Sequence, residues 1–383
     1  MRTGNKADLE GLLVVSIEQA ASAPYLSSKL ADAGARVIKI ERPDGDFGRH
    51  YDHLVKEQSS YFVWLNRGKE SICLNLRDEK DKALLSSMIA DADIFIQNLS
   101  PGKISELGFP LEDLRRQYPQ LIVCSFVGFG GEGPMANNKA YDLMVQGETG
   151  LAHITGNEWG ATRVGVSVSD ISAGMSAAQA VFQALYMRER TGNGRLIEVS
   201  LYHTLMDWMN VPYLQYAYGG KAPERVGLHH PTIAPYGSYA CSGGQAMVIA
   251  IQNEREWQLF CRNVLERPEL EEDPRFRDND SRVAYRGALD AELIPFFLGL
   301  DREEALELLK SHRIASGRVN TIEEVSEHPH NIFRTVETPR GSVEMMVPGI
   351  SVDGYRPELG AVPSTNEHGD VIRHEFSGKA PEN

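Results

Sequence analysis

Asp170 is the side chain of this 383-residue chain whose surroundings most favour chemistry. It lies in residues 163–175, RVGVSVSDISAGM, where Val164, Val166 and Val168 alternate as in a strand that stops at Ser169-Asp170. Beyond it runs a helix of small residues, Ser172, Ala173, Gly174, Ser176, Ala177, Ala178 and Ala180. One reading makes Ser169 or Asp170 a helix N-cap, an oxygen accepting orphan first-turn N–H groups. The other starts from the small residues, which let a second backbone or a bulky ligand approach this helix end closely. A carboxylate held there is partly desolvated, and so a usable nucleophile or base.

Other chemistry-bearing residues are weighed against that centre. Lys39, Arg42, Arg67, Lys69, Arg77, Lys103 and Lys139 cluster at the ends of predicted strands. Each taken singly reads as solvated surface charge. Together, at strand C-termini of an open α/β sheet, they suit a phosphorylated ligand such as a nucleotide or coenzyme A. Residues 128–133, GFGGEG, match GxGxxG, but Pro134 and polar residues follow rather than a helix, and the strand before them is the last of its series. That context predicts a glycine loop, not a pyrophosphate site. His229-His230 has no HxxxH spacing or adjacent carboxylate, so no metal site is predicted. Neither GxSxG nor a Walker A lysine motif is present.

These residues are positioned by a recurrent β–α pattern. Strands are expected at 12–17, 36–40, 71–76, 93–96, 121–126 and 195–199, with helices at 24–34, 78–90, about 105–118 and 171–190. A polar loop is expected between the second and third strands. Such alternation predicts a mainly parallel, doubly wound sheet. Residues 191–194, TGNG, should stop the long helix, and Ser200 should cap the next. The pattern dissolves at 219–239, then 246–251 and further helices to about 309 suggest a smaller α+β domain. Strand character returns at 340–347 and 349–352, and the segment from Pro357 is expected to lie over the surface. The organisation expected is therefore a first part of a large domain (1–218), a linker and small domain (219–325), and a return segment completing the large domain (326–383).

Composition narrows the class. A hydrophobic fraction of 42% is ordinary for a globular protein, and a net charge of −14 argues against broad nucleic-acid binding. No apolar run approaches a membrane span, and the N-terminus lacks a signal-peptide core. Four scattered cysteines without a CxxC pair suit reduced, mostly buried thiols of a cytoplasmic protein.

In order along the chain, residues 33–43 (AGARVIKIERP), 66–69 (NRGK), 98–108 (NLSPGKISELG), Tyr141-Asp142, the Asp170 stretch, 191–195 (TGNGR) and 273–276 (DPRF) resemble the class III coenzyme A transferases. Formyl-CoA transferase and carnitine CoA-transferase belong to that group. The resemblance covers nearly the whole chain. It implies a Rossmann-like large domain with a smaller domain, in an interlocked homodimer, with no tightly bound cofactor and with acyl-CoA as substrate. Asp170 falls on the family's nucleophilic aspartate. Ala21, Ser22, Arg42, Leu74, Arg77, Asn98 and Tyr141 fall on or beside CoA-binding positions. Ala21 stands where formyl-CoA transferase has a glutamine, and Glu106 where it has an arginine, so Lys103 one turn away is expected to supply that charge.

Two alternatives share the fold. The α-methylacyl-CoA racemases use a His–Asp pair, and their histidine falls on Tyr141, a poor base at neutral pH. A non-catalytic CoA-binding protein is the other, against which retention of Asp170 argues. Residues 227–237, GLHHPTIAPYG, replace the glycine lid of formyl-CoA transferase and resemble the transferases for C4–C5 dicarboxylates, namely itaconate, mesaconate and citramalate, with succinyl-CoA as donor. His229 and His230 are the candidate substrate contacts.

Overall fold

The structure, a computed structural model, describes residues 7–378. The chain forms two compact units: residues 7–151, 163–211 and 332–378 build one, residues 152–162 and 212–331 the other.

In the first unit the elements run β1 (Leu13–Ile17), α1 (Ser22–Asp32), β2 (Arg36–Glu41), α2 (Ser60–Leu65), β3 (Lys69–Cys73), α3 (Glu79–Asp91), β4 (Ile94–Gln97), α4 (Lys103–Glu106), α5 (Leu111–Gln117), β5 (Ile122–Val127) and α6 (Asp142–Glu148). After a passage through the second unit, with α7 (Leu151–Ile154) and the hairpin β6 (Gly156–Asn157) and β7 (Gly160–Ala161), come α8 (Val168–Thr191), β8 (Leu196–Ser200) and α9 (Leu201–Trp208). The six long strands form one sheet in the order β3-β2-β1-β4-β5-β8, every pairing parallel. Both faces are covered, so the strands read as almost continuous apolar runs. Val14, Ile94, Ile96 and Cys124 face α1 and α8, while Val15, Ile38, Phe95 and Val123 face α3. The strand order reverses between β1 and β4, and in such sheets ligands bind outside the strand C-termini at that point.

Five expectations are corrected here. Val164, Val166 and Val168 form no strand: Val164 N–H is taken by Gln146 Oε1 at 2.8 Å, no ladder partner is available, and the helix already begins at Val168. Ser167 is the N-cap, so Asp170 lies in the first turn and is not a cap. The segment after Pro357 does not merely cross the surface. Its helix Gly369–Phe376 buries Ile372 and Phe376, an i,i+4 apolar pair, in the core on the α3 face. Residues 349–352 form only an isolated bridge between Val352 and Tyr355, whereas Phe333–Val336 pairs with Val343–Met346. The region between β2 and β3 holds α2, with Phe62, Val63 and Leu65 buried. Helix α8 ends as expected, with Gly192 left-handed at φ 72°.

The second unit has a three-stranded antiparallel sheet, Ala315–Arg318 beside Ala246–Ala250 beside Tyr236–Ala240, the last of these inside the stretch where pattern was lost. Trp257, Phe260, Phe276, Leu289, Leu293 and Phe297 pack into its core. All four cysteines are free thiols, three of them buried. Among the described residues no helix is long and apolar enough to cross a membrane, and no group of three or more His, Cys, Asp or Glu side chains is placed to hold a metal.

Candidate active site

Helices α1 and α8 pack extensively against each other, and a glycine permits it. A Cβ on Gly174 would lie 2.9 Å from the Ser22 carbonyl oxygen and 2.8 Å from Tyr25 Cδ1. Gly174 is one turn beyond Asp170, so this approach brings the N-terminus of α1 against the carboxylate. Asp170 is half-buried there. Loss of solvent, and then the neighbouring charge of Asp142, push its proton affinity up to about 7, against a hydrogen bond from Ser22 that favours the anion. A carboxylate tuned close to neutral pH is more basic than an ordinary one while still ionised in a useful fraction.

Asp142 also holds the backbone next to Asp170. Its Oδ1 accepts from Ser169 N–H at 3.0 Å and Ser169 Oγ at 2.9 Å, and its Oδ2 accepts from Gln146 Nε2 at 2.8 Å. Before α8, Ser167 Oγ lies 2.8 Å from Tyr61 OH. Tyr61 stacks edge-on with Tyr51 and Trp64, and Trp64 with Tyr25, giving an aromatic wall. Burial, then the charges of Asp46 and Asp170, raise the Tyr51 phenol above its ordinary range, so this ring stays neutral beside the carboxylate. Tyr51 and Tyr61 escape a sequence reading because their partners are 119 and 106 residues away, while Asp142 and Gly174 are visible in it only as a motif residue and as one of the small residues, without the contacts they make. The one local signal is the paired aromatics of residues 60–64, SYFVW.

The topology gathers most of the remaining candidates at one end of the sheet. Ala21 and Ser22 follow β1, Arg42 follows β2, Leu74 and Arg77 follow β3, Asn98 and Lys103 follow β4, and Lys139 and Tyr141 follow β5. Their settings differ. Arg42, Arg77 and Lys139 are exposed, Lys103 is paired with Glu106 at 2.8 Å, and Tyr141 is exposed at the N-cap of α6. The Leu74 side chain is part of the core, and its N–H continues the ladder to Glu41 O at 2.9 Å. Asn98 holds the backbone of Gln19 by two hydrogen bonds, at 3.0 and 2.8 Å.

Three cations of the expected basic cluster are not available to a ligand. Lys39, Arg67 and Lys69 are buried in ion pairs with Asp46, Asp32 and Glu18, at 2.8, 2.5 and 2.6 Å. Lys39 lies between Glu18 and Asp46, and Glu41 joins Arg49 and Ser71 to the same cluster. Burial opposes the charge on Lys39, but Asp46 and Glu18 raise its proton affinity overall. Burial also works against ionised Glu18, yet Lys69 and Lys39 bring it down to about 2. For Lys69 burial prevails and lowers it to about 8. The glycine loop likewise serves packing. Gly128 leaves room for Ala140, and Gly131 N–H donates to Glu198 Oε1 at 2.9 Å.

His229 and His230 belong to the second unit. His229 sits edge-on to Tyr239 and fills the space a Cβ on Gly237 would take, 2.2 Å from its Nδ1. His230 stacks on Tyr236, and its Nδ1 accepts from Thr232 N–H at 3.2 Å.

The family model described as CoA-transferase family III matches residues 9–369. The acetyl-CoA:oxalate CoA-transferase of Acetobacter aceti is 36% identical, over 98% of this chain and 97% of its own. The succinyl-CoA:mesaconate CoA-transferase of Haloarcula marismortui is 32% identical, over 94% of each. A crystal structure of a CAIB/BAIF family protein from Brucella suis superposes with a TM-score of 0.84 at 34% identity, covering 97% of this chain and 100% of that one.

The Asp170 environment predicts a pH signature. The unfolded chain loses this proton near the ordinary 3.8, the folded chain near about 7. Between those values the unfolded state binds fewer protons, so this residue makes stability fall as pH rises. Asp170→Asn removes that slope. Its melting temperature should match the native protein's near pH 4 and exceed it increasingly towards pH 8. An equal difference at both ends would mean the carboxyl titrates normally.

Proposed function

The chain belongs to CoA-transferase family III, enzymes acting on acyl-CoA and carboxylic acids, and from that premise we propose that it moves CoA from an acyl-CoA to a dicarboxylic acid through covalent intermediates on Asp170. The observation that carries this reading is the half-buried Asp170 carboxylate, raised to about 7 and set against the N-terminus of α1.

In the first step an Asp170 oxygen adds to the donor thioester carbonyl. The C–S bond breaks, leaving a mixed anhydride and a CoA thiolate. The thiolate then attacks the aspartyl carbonyl, releasing the donor acid as carboxylate and leaving a β-aspartyl thioester. The acceptor carboxylate attacks that thioester and the thiolate returns, so the two steps run in reverse and Asp170 is regenerated. No net proton transfer is needed. Each addition places negative charge on an oxygen, and first-turn N–H groups of α1, at Ser22 and Ala23, are donors of the kind that stabilise it. Arg42, Arg77 and Lys139 are proposed to face the CoA phosphates, with Ala21, Leu74, Asn98, Lys103 and Tyr141 lining the same strand ends.

For the acids, we favour a C4–C5 dicarboxylate such as itaconate, mesaconate or citramalate, with succinyl-CoA as donor. Support comes from the Haloarcula marismortui relative, whose name gives succinyl-CoA and mesaconate; the Acetobacter aceti relative's name gives acetyl-CoA and oxalate, a shorter dicarboxylate. A raised aspartate also suits α-proton transfer, as in a racemase. That reaction needs a second base, and the aligned position is Tyr141, whose phenol is a poor stand-in for an imidazole base. Transfer is therefore preferred.

Asp170→Ala should abolish CoA exchange between succinyl-CoA and the acid panel, read by mass spectrometry, while CoA still binds. Hydroxylamine added during turnover should convert Asp170 alone to a hydroxamate. Exchange near the native rate in Asp170→Ala defeats the covalent reading, and deuterium washing into the α-carbon without acyl transfer establishes the racemase.

Of the two histidines, His230 is the better candidate for the far carboxylate, because His229 is committed to packing. A charge-assisted hydrogen bond is worth about 1.5–3 kcal/mol, or roughly 10- to 150-fold in kcat/KM. His230→Ala should lose that factor on dicarboxylates and little on monocarboxylates. Equal losses on both acid classes would make the residue a loop support only.

We further propose a homodimer. Met175, Phe182 and Tyr186 form an exposed apolar stripe on α8, and Leu143 and Met144 are exposed on the adjoining α6. Sedimentation at nanomolar concentration should give a dimer, and a folded monomer there defeats the proposal.

A further inference from the structure

We propose that Asn98 and Asp46 are positioning residues that lock the turn at Gln19–Ala20 so that the first-turn amides of α1 face Asp170. This rests on the CoA-transfer reading and gives Asn98 a role other than contact with CoA.

Asn98 is the first residue past β4 and stands beside β1 where the strand order reverses. Its own N–H donates to Ile17 O at 3.2 Å. Its side-chain Oδ1 accepts from Gln19 N–H at 3.0 Å and its Nδ2 donates to Gln19 O at 2.8 Å. One amide side chain thus satisfies both backbone groups of Gln19, prolonging the β1–β4 ladder beyond the end of the strands. The next residue is gripped from the other side. Asp46 Oδ1 accepts from Ala20 N–H at 3.3 Å and from Gly48 N–H at 2.8 Å, while its Oδ2 meets Lys39 Nζ at 2.8 Å. Lys39 also donates to Glu18 O at 3.2 Å, and Lys69 to Pro24 O at 3.2 Å.

The backbone of residues 18–24 is therefore tied at four consecutive groups and again at its far end. Ala20 needs such restraint. Its φ of 62° is left-handed, a conformation that a residue with a Cβ adopts only at a cost and only where its surroundings over-determine it. What this restraint fixes is the entry to α1, whose N-cap, Ala21, supplies no side-chain acceptor for the first-turn N–H groups. Those groups are left for another acceptor, and the packing of Gly174, one turn beyond Asp170, against the Ser22 carbonyl places the carboxylate at the same helix end. The oxygen that becomes anionic during transfer is bonded to the carbon Asp170 attacks, so amides fixed beside Asp170 are where that charge develops.

The full-length enzyme tests this with Asn98→Ala, the near-isosteric Asn98→Asp, and Asp46→Ala. Asn98→Asp keeps the acceptor for Gln19 N–H but sets a carboxylate oxygen against Gln19 O. CoA exchange is measured at saturating donor and expressed per folded site, CoA affinity by titration calorimetry, and covalent capture as the Asp170 hydroxamate. Expected are a fall in kcat of about 10- to 100-fold, a parallel fall in hydroxamate formation, and a Kd for CoA within about two-fold of native. A weakened Kd with kcat preserved at saturation makes Asn98 a CoA contact and overturns the proposal. So does activity that merely follows the folded fraction in all three variants. Absence of exchange and of Asp170 hydroxamate in the native enzyme refutes the transferase reading instead, leaving the two failures distinct.

Discussion

The approach of α1 to α8 is the constraint on which the rest of the site depends. It exists because Gly174 has no side chain where the Ser22 carbonyl and the Tyr25 ring arrive. The contact does two opposed things to Asp170. It removes water, which disfavours the carboxylate and accounts for the largest part of its raised proton affinity. It also brings the N-terminus of a helix, whose dipole and free N–H groups favour negative charge. A carboxylate left in water would be a weaker base, and one buried without donors would stay protonated at neutral pH. The balance near about 7 lies between these limits.

A contact that close tolerates little freedom in α1, and the buried charge cluster beneath it supplies the restraint. Glu18, Glu41 and Asp46 face Lys39, Lys69 and Arg49 with Ser16, Ser27, Asn66 and Ser71 filling the remaining hydrogen-bond positions. Such clusters contribute little net stability compared with apolar packing, but losing one partner costs about 3–5 kcal/mol because a charge is then left buried and unpaired. Their value here is geometric. Carbonyls 18 and 24 and the N–H of Ala20 are held by side chains that themselves have no room to move.

Much of this was legible in the chain, and what was not has a common cause. The strands announce themselves because a parallel sheet covered on both faces demands apolar runs, and TGNG stops α8 because Gly192 must be left-handed. Asp170 stood out through the small residues beside it. The valines before it misled because alternation describes a strand only when a neighbouring strand offers a ladder, and here Gln146 took the N–H. Lys39 and Lys69 read as surface charge because their burial depends on Glu18 and Asp46, partners that no local pattern reveals. Asn98 was visible as a site position, but its two hydrogen bonds to Gln19 span 79 residues.

The division of charge follows from the same geometry. With Lys39, Arg67 and Lys69 withdrawn into buried pairs, the cations exposed at the strand ends are Arg42 and Lys103, paired at the surface with Asp44 and Glu106, and Arg77 and Lys139. They lie outside the sheet, where a phosphorylated handle can be held in water. Asp170 instead has neutral rings, small residues and the Asp142 carboxylate around it, with no cation among the causes of its shift. A fixed cation against Asp170 would lower its proton affinity and weaken it as a nucleophile, whereas amide dipoles act most strongly on whichever oxygen carries the charge. Covalent transfer shifts negative charge from Asp170 to the acyl oxygen and on to sulfur in each half-reaction. A site with dipoles at the reacting centre and cations at its rim can follow that movement without trapping any one of its anionic states.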